Sequence, residues 1–114
     1  MAWTEAYSGS ATIGATEYSA TTNSTTIAAQ TAKGTYQVFI DASALVAGDL
    51  FELRVLEKVR SSGAQREVMS ASVGGGGPAL LCLPALMLGN GWDVTLRRVA
   101  GDDRTIEWSI RAYS

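Results

Sequence analysis

The sequence contains no histidine and a single cysteine, Cys82. Without histidine, the chain lacks the commonest general base and the commonest metal ligand of proteins. One cysteine excludes a disulfide within these residues. Its position in an apolar run with no basic neighbour indicates a small hydrophobic side chain rather than a nucleophile. Nucleophilic catalysis and metal-dependent catalysis are therefore not expected.

Charge is also scarce, because only 18% of the residues are Asp, Glu, Lys or Arg, and the formal net charge is −2. The basic residues are interleaved with acidic ones, so the sequence predicts no contact with nucleic acid. The longest apolar run, residues 79–88, is about half the length of a membrane-spanning helix and contains Pro84. The chain opens without a basic and then apolar segment. We therefore expect no signal peptide, no membrane contact, and synthesis in a cytoplasm.

Carboxylates are the remaining candidates for chemistry, since a glycoside hydrolase needs two of them facing one cleft. Most of the acids, however, have a predicted structural role. These roles are cross-strand ion pairs, a helix cap and a turn, for Glu67, Asp93, Glu107, Asp41, Asp102 and Asp103. The acids also lack the regular spacing of a calcium loop. The sequence predicts no catalytic residue, no cofactor, no metal ligand and no enzyme.

Residues 92–113 carry the clearest structural pattern. Apolar residues alternate with polar ones on both sides of a Gly-Asp-Asp turn, which indicates two half-buried β-strands. The apolar positions are Trp92, Val94, Leu96, Ile106, Trp108 and Ile110. Pairing the strands as a hairpin brings Arg97 opposite Glu107 and Asp93 opposite Arg111, and a one-residue slip would lose both ion pairs. We therefore predict a closing hairpin in this register.

A second hairpin is predicted from residues 51–60 and 65–73, which lie on either side of a Ser-Ser-Gly-Ala turn. It brings Lys58 opposite Glu67 and leaves room for a β-bulge. Residues 36–40 alternate in the same way and predict a further strand.

Helix is almost absent from the pattern. Residues 41–48 are the one stretch suited to a helical turn, with Gly48 at its end. Residues 1–114 therefore predict a single all-β domain. Its expected form is an antiparallel β-sandwich or jelly roll of seven to nine short strands, with at most one short helical turn.

The N-terminal segment, residues 1–32, is rich in Thr, Ser and Ala and nearly free of charge. It is typical either of a pair of weak edge strands or of an arm that becomes ordered on a partner. Trp3 and Tyr7 share an otherwise polar strand there and form a possible stacking platform for sugars. Trp92 and Trp108 fall on an apolar face and are expected in the core.

Residues 79–88 are apolar at nearly every position, whereas a half-buried strand needs only every second residue to be apolar. We predict that this stretch contacts another subunit. The predicted interface residues are Leu80, Leu81, Leu83, Leu86, Met87 and Leu88. Under this hypothesis Leu83→Asp breaks an oligomer and leaves the monomer folded. The alternative is a central strand covered by the N-terminal segment. The preceding residues 74–78, four glycines and a proline, predict a mobile loop rather than a phosphate site.

Several segments resemble small structural proteins of tailed bacteriophages. They are residues 1–14 (MAWTEAYSGSATIG), 34–41 (GTYQVFID), 48–58 (GDLFELRVLEK), 91–96 (GWDVTL) and 106–111 (IEWSIR). The resemblance covers most of the chain and implies a virion component such as a capsid decoration (cement) protein. Such proteins are compact β-folds that assemble as oligomers, commonly trimers, over joints between capsid subunits.

The resemblance implies a homo-oligomer, with a trimer favoured, whose partner is the major capsid protein or another virion protein. The expected function is a non-enzymatic virion structural protein that stabilises the particle by packing on the capsid surface. The resemblance names no site residue. The alternative is a tail, neck or head-fibre component that acts as a carbohydrate-binding or host-attachment module, and only this alternative predicts a fluorescence response to polysaccharide.

Overall fold

The computed structural model describes residues 3–77 and 79–113, which contain nine β-strands and no helix. The strands are β1 (Trp3–Ile13), β2 (Tyr18–Ser19), β3 (Gly34–Asp41), β4 (Leu50–Glu57), β5 (Arg66–Gly74), β6 (Leu80–Cys82), β7 (Leu86–Leu88), β8 (Asp93–Ala100) and β9 (Arg104–Tyr113). The predicted all-β fold is confirmed. Across these two ranges, no helix is long and apolar enough to cross a membrane.

The strands form two antiparallel sheets that pack face to face as a sandwich. The first sheet has the order β1-β9-β3, and both β6 and β7 pair with the remaining edge of β3. The second sheet has the order β2-β8-β4-β5. Both N-terminal strands, β1 and β2, therefore lie at sheet edges.

The inner faces of both sheets are apolar, as the alternation predicts. The fully buried side chains include Val38, Ile40, Phe51, Leu53, Val55, Val94, Leu96, Ile106 and Ile110. Trp92 and Trp108 are buried with them. Each indole N–H donates to a backbone carbonyl, that of Ala32 at 3.0 Å and that of Ala20 at 2.9 Å. The two tryptophans thus anchor the segment that leads from β2 to β3.

The predicted closing hairpin is wrong. β8 lies between β2 and β4 in the second sheet, and β9 lies between β1 and β3 in the first. Their apolar faces therefore meet across the core rather than side by side. Arg97 pairs with Glu52 of β4, at 2.9 Å between Nε and Oε1, and not with Glu107. The alternation of apolar and polar residues determines which side chains of a strand are buried. The same alternation is expected whether two strands are neighbours in one sheet or face each other across the core, so it does not identify the partner strand.

Asp93 does not pair with Arg111 either, because it is fully buried. The Thr21 hydroxyl and the Ala28 N–H donate to its two carboxylate oxygens at 2.6 and 2.8 Å. A buried carboxylate is stable only when such donors replace water. The segment after β2 therefore covers the outer side of β8, which explains why β8 is buried on both faces over its first four residues.

The second predicted hairpin exists, but its register is shifted by one residue from Leu50 to Val55 and by two residues between the bulge and the turn. β4 and β5 pair as Val55 with Met69 and then Leu56 with Glu67, so that Val68 is the extra residue of a β-bulge. The bulge was anticipated, whereas the predicted pair of Lys58 with Glu67 is replaced by an ion pair of Glu67 with Arg54 at 2.8 Å.

Asp49 holds the chain where it crosses from β8 to β9. Its carboxylate accepts hydrogen bonds from Arg104 Nε at 2.7 Å, from the Val46 N–H at 2.9 Å and from the Asp102 N–H at 3.2 Å. The Arg104 hydrogen bond is the largest of the causes that lower the pKa of Asp49 to about 2. Gly101, at φ +87°, packs against this carboxylate so closely that a Cβ would collide with Oδ1. The crossing therefore requires glycine on two grounds.

Residues 41–48 form turns rather than a helix. The Ser43 N–H donates to Asp41 Oδ1 at 2.9 Å, and Gly48 has a φ of +96° as expected at the end of the stretch. In the glycine-rich loop, Gly74–Gly77 form a turn, while Pro78 lies outside the described residues.

Candidate contact surface on the first sheet

The outer face of the first sheet carries a row of apolar side chains at one end of its strands. In register, Trp3 lies opposite Tyr113, Tyr113 opposite Thr35, and Thr35 opposite Met87. Directly opposed residues share one face of an antiparallel sheet. Trp3, Tyr113 and Met87 are 52%, 44% and 85% exposed, and we call these three residues the apolar row.

Trp3 and Tyr7 do not form the predicted stacking platform. The pairing of β1 with β9 shifts between Glu5 and Tyr7, which makes Ala6 the extra residue of a bulge. The bulge turns Tyr7 to the inner face, where its ring packs edge-on against buried Trp92 at 5.7 Å between centroids. Trp3 stays on the outer face.

Residues 79–88 form two short edge strands rather than one strand apolar on both faces. β6 and β7 are separated at Pro84, and the Leu83 N–H donates to the Val38 carbonyl between them. Leu83 and Leu88 are buried in the core, so their predicted contact with another subunit is corrected.

The other four predicted interface residues divide by face. Leu81 and Leu86 are partly buried against the core. Leu80, 64% exposed, and Met87 point to the outer face. Only these last two of the six predicted residues present a large apolar surface to a partner. Cys82 is also exposed on β6.

Beside the apolar row, Arg111 is held between two aromatic rings. Its guanidinium carbon lies 4.0 Å from the centroid of Phe39 and 5.0 Å from that of Trp3. Its Nε donates to the Ser109 hydroxyl at 3.2 Å, and that hydroxyl donates to Glu5 Oε2 at 2.5 Å. Stacking and hydrogen bonding fix a side chain that is otherwise among the most mobile on a surface.

Three carboxylates lie on the same outer face. Asp41 of β3 is directly opposite Glu107 of β9, and Glu5 of β1 is directly opposite Arg111. The Ser109 hydroxyl lowers the pKa of Glu5, and the Ser43 hydroxyl and backbone N–H lower the pKa of Asp41. Both groups are therefore charged acceptors at neutral pH.

These side chains line one open groove of about 320 Å³ across the first sheet. Its lining includes Glu5, Phe39, Asp41, Leu80, Glu107, Ser109 and Arg111, and we call it the Arg111 groove. Sequence reasoning missed it, because Glu107 and Arg111 were assigned to cross-strand ion pairs. The available signal was Phe39, an aromatic residue on the polar side of an alternating strand.

The Arg111 groove is lined by three carboxylates, and a glycoside hydrolase needs at least two facing one cleft. Such an enzyme also needs a proton donor whose pKa is raised by burial or by a neighbouring charge. The pKa values of Glu5 and Asp41 move in the opposite direction, and Glu107 is exposed to solvent. The arrangement is suited to accepting hydrogen bonds rather than to donating a proton.

Within residues 3–77 and 79–113, no group of three or more acidic or cysteine side chains is placed to hold a metal ion. Asp93 is engaged by Thr21 and Ala28 in the interior.

The outer face of the second sheet is organised differently. Arg54 bridges Glu17 and Glu67 at 2.7 and 2.8 Å, and Arg97 pairs with Glu52. Glu17 also accepts a hydrogen bond from the buried Thr95 hydroxyl. This face neutralises its own charges.

No protein-family model matches the chain, and no curated protein matches it significantly. Solved structures with the same architecture are numerous. A mitogen from Yersinia pseudotuberculosis is 13% identical, with a TM-score of 0.58 over 94% of this chain and 85% of that one. A disulfide-linked pilus protein of Bacillus endospore appendages is 14% identical, with a TM-score of 0.52 over 97% and 86%.

A third structure is a surface-associated copper-binding protein of Methylomicrobium album BG8, 8% identical, with a TM-score of 0.56 over 94% of both chains. Cowpea mosaic virus particles and a xylan-binding domain are more distant neighbours, at TM-scores of 0.48 and 0.41. At these identities the likeness establishes the β-sandwich fold alone.

Proposed function

We propose that this protein is a non-enzymatic structural component of a tailed-bacteriophage virion. In this proposal it is a capsid decoration (cement) protein that packs on the capsid surface as a homo-oligomer, with a trimer favoured. The observation that carries the proposal is the apolar row, because Trp3, Tyr113 and Met87 are exposed in one line across the sheet, with only Thr35 between Tyr113 and Met87. The resemblance of the strand segments to phage structural proteins supports the same assignment.

The residue types of the apolar row are those that supply binding energy at protein interfaces. Aromatic side chains and Met are enriched at the centres of interfaces, and Met adapts its shape to an irregular partner. Burial contributes about 25 cal/mol per Å² before the costs of association are subtracted. Leu80 is also exposed on this face, but it lies opposite Asp41 at the other end of β3 and lines the Arg111 groove.

The experiment compares solution mass and capsid binding of the purified protein and two variants. Met87→Asp places a charge in the apolar row. Val59→Asp is the matched control, because Val59 is 92% exposed and belongs to a loop outside both sheets. We expect a trimer by light scattering for the unaltered protein and for Val59→Asp, and a monomer for Met87→Asp.

The same three proteins are then sedimented with shells of the phage that encodes them. Decoration predicts that the unaltered protein and the control co-sediment with the shells, while Met87→Asp stays in solution. A protein that is monomeric and does not co-sediment contradicts the proposal.

The alternative function, a tail, neck or head-fibre component that binds carbohydrate, rests on a different part of the same face. Its supporting observation is the Arg111 groove, which combines aromatic rings, a guanidinium and carboxylates.

A further inference from the structure

We propose that the Arg111 groove is a binding site for a neutral oligosaccharide. This inference rests on the alternative function, which it deepens by naming the class of carbohydrate, and it does not depend on the packing role. The groove measures about 320 Å³, the volume of a small-ligand site. Its polar groups come from three neighbouring strands, β1, β9 and β3, which hold them in fixed register.

The donor side of the site is the guanidinium of Arg111. Stacking between Phe39 and Trp3 and the Nε bond to Ser109 fix its plane before any ligand arrives. Among the described residues, no carboxylate lies within ion-pair distance of Arg111, and its only hydrogen bond is the one made by Nε. Its terminal N–H groups remain to donate to sugar oxygens, and little conformational entropy is lost on binding.

The acceptor side consists of Glu5, Asp41 and Glu107. None of the three has an ion-pair partner among the described residues, although two of them face each other across neighbouring strands. Sugar hydroxyls are donors and acceptors at once, and they match a surface that offers both. Hydrogen bonds from hydroxyls to charged acceptors are stronger than those to neutral ones.

The apolar part of the site is supplied by Phe39 and the exposed side chain of Leu80. The C–H faces of a pyranose ring need such a surface beside the hydrogen-bonding groups. Anionic ligands are disfavoured by three carboxylates against one guanidinium. The choice of a neutral sugar therefore follows from the combination of donors, acceptors and apolar surface.

The test is a titration of the full-length protein with cellohexaose, mannohexaose and chitohexaose, followed by amide chemical shifts. We expect saturable shifts at Phe39, Ser109 and Arg111 with at least one of these sugars at millimolar concentration, unchanged by added salt. Phe39→Ala and Glu107→Gln are each expected to weaken binding about tenfold, since each removes one main contact. Arg97→Ala, on the outer face of the second sheet, is the control and is expected to leave the affinity unchanged.

Two outcomes of the titration overturn the proposal: no saturable shift with any of the three sugars, and binding that Phe39→Ala and Glu107→Gln leave intact. Preferential binding of hexalysine that falls steeply with salt also overturns it. So does the release of new reducing ends, which indicates hydrolysis. The amide spectra also verify that each variant is folded. Solution mass, recorded on the same samples, separates this result from the packing proposal, because Phe39→Ala leaves the apolar row intact.

Discussion

The two outer faces of the sandwich satisfy their charges in different ways. On the second sheet, Arg54 lies between Glu17 and Glu67, and Arg97 pairs with Glu52. On the outer face of the first sheet, the carboxylates of Glu5, Asp41 and Glu107 have no ion-pair partner among the described residues, and Arg111 stacks on aromatic rings.

Under the proposed function, this difference distinguishes a face that contacts solvent from a face that contacts a partner. Ion pairs within a face leave it neutral and well hydrated, and they contribute modestly to stability. Acids without an ion-pair partner, exposed aromatic rings and an exposed Met add little to the stability of the folded monomer. The proposed partner and the proposed ligand would each account for their presence together on one face.

The largest expected effect comes from placing the same charge at two nearby positions of the edge formed by β6 and β7. One position is in the core, and the other is on the outer face of the first sheet. Leu83→Asp puts a carboxylate in the core, and we expect a loss of about 4 kcal/mol or complete unfolding. Leu80→Asp puts the same carboxylate in solvent and should change stability by less than about 0.5 kcal/mol. Urea unfolding measures both. Similar urea midpoints for the two variants would contradict the assignment of Leu83 to the core and of Leu80 to the surface.

The next largest effect concerns Asp49, which joins the end of one sheet to the start of the other. Its pKa is about 2 in the folded protein against 3.8 for the ordinary group. A lowered pKa means that its stabilising contribution is fully present above pH 3.8 and is lost as the pH falls through about 2.

Asp49→Asn is therefore expected to be clearly less stable than the unaltered protein at neutral pH. The difference in unfolding free energy should shrink progressively below pH 3.8. Denaturant midpoints recorded across this range measure it, and a difference that is independent of pH would contradict the assignment.

A smaller effect compares the two arginines. Arg54→Met removes two partly buried ion pairs and leaves Glu17 without its cation, so we expect a loss of about 1 to 2 kcal/mol. Arg111→Met keeps an apolar chain between the rings and removes exposed cation–π contacts and one exposed hydrogen bond to Ser109, so we expect a loss of at most about 1 kcal/mol. Thermal unfolding ranks them. If Arg111→Met proves more destabilising than Arg54→Met, the guanidinium of Arg111 has a structural role that the proposed binding role does not predict.

The smallest effect has the opposite sign. Glu107→Lys replaces a like-charge pair with an attractive one opposite Asp41, and we expect it to stabilise the protein by about 0.2 to 1 kcal/mol. A gain in stability accompanied by loss of sugar binding is typical of a binding site whose residues lower the stability of the folded protein. Glu52→Lys is the matched control on the second sheet, and because it breaks the ion pair with Arg97 it should destabilise.

Much of the fold follows from the sequence because burial has a period of two along a strand. Trp92, Trp108 and the aliphatic residues beside them were assigned to the core, and they are buried. The period-two pattern does not reveal which strand lies next to β8 in its sheet. Arg97 finds an acidic partner in either topology, Glu107 in a hairpin or Glu52 across to β4, so charge matching did not discriminate between them.

The candidate site was harder to predict, because it depends on which strands are neighbours. Asp41 and Glu107 are far apart in sequence and meet only because β3 and β9 pair. Tyr7 was assigned to the wrong face because the bulge at Ala6 interrupts the alternation, and a single extra residue in β1 leaves no clear mark in a segment rich in small side chains.

The crossing from β8 to β9 has a consequence for how the chain folds during synthesis. β1 obtains its partner only when β9 exists, and β2 only when β8 exists. A ribosome-bound chain that ends before residue 93 possesses the β4–β5 hairpin and the edge around β3, but neither sheet is complete. Of the nine described strands, the last two to be translated thus lie inside the sheets. We therefore expect both sheets to form late and together, with the Thr-rich N-terminal segment unpaired until then.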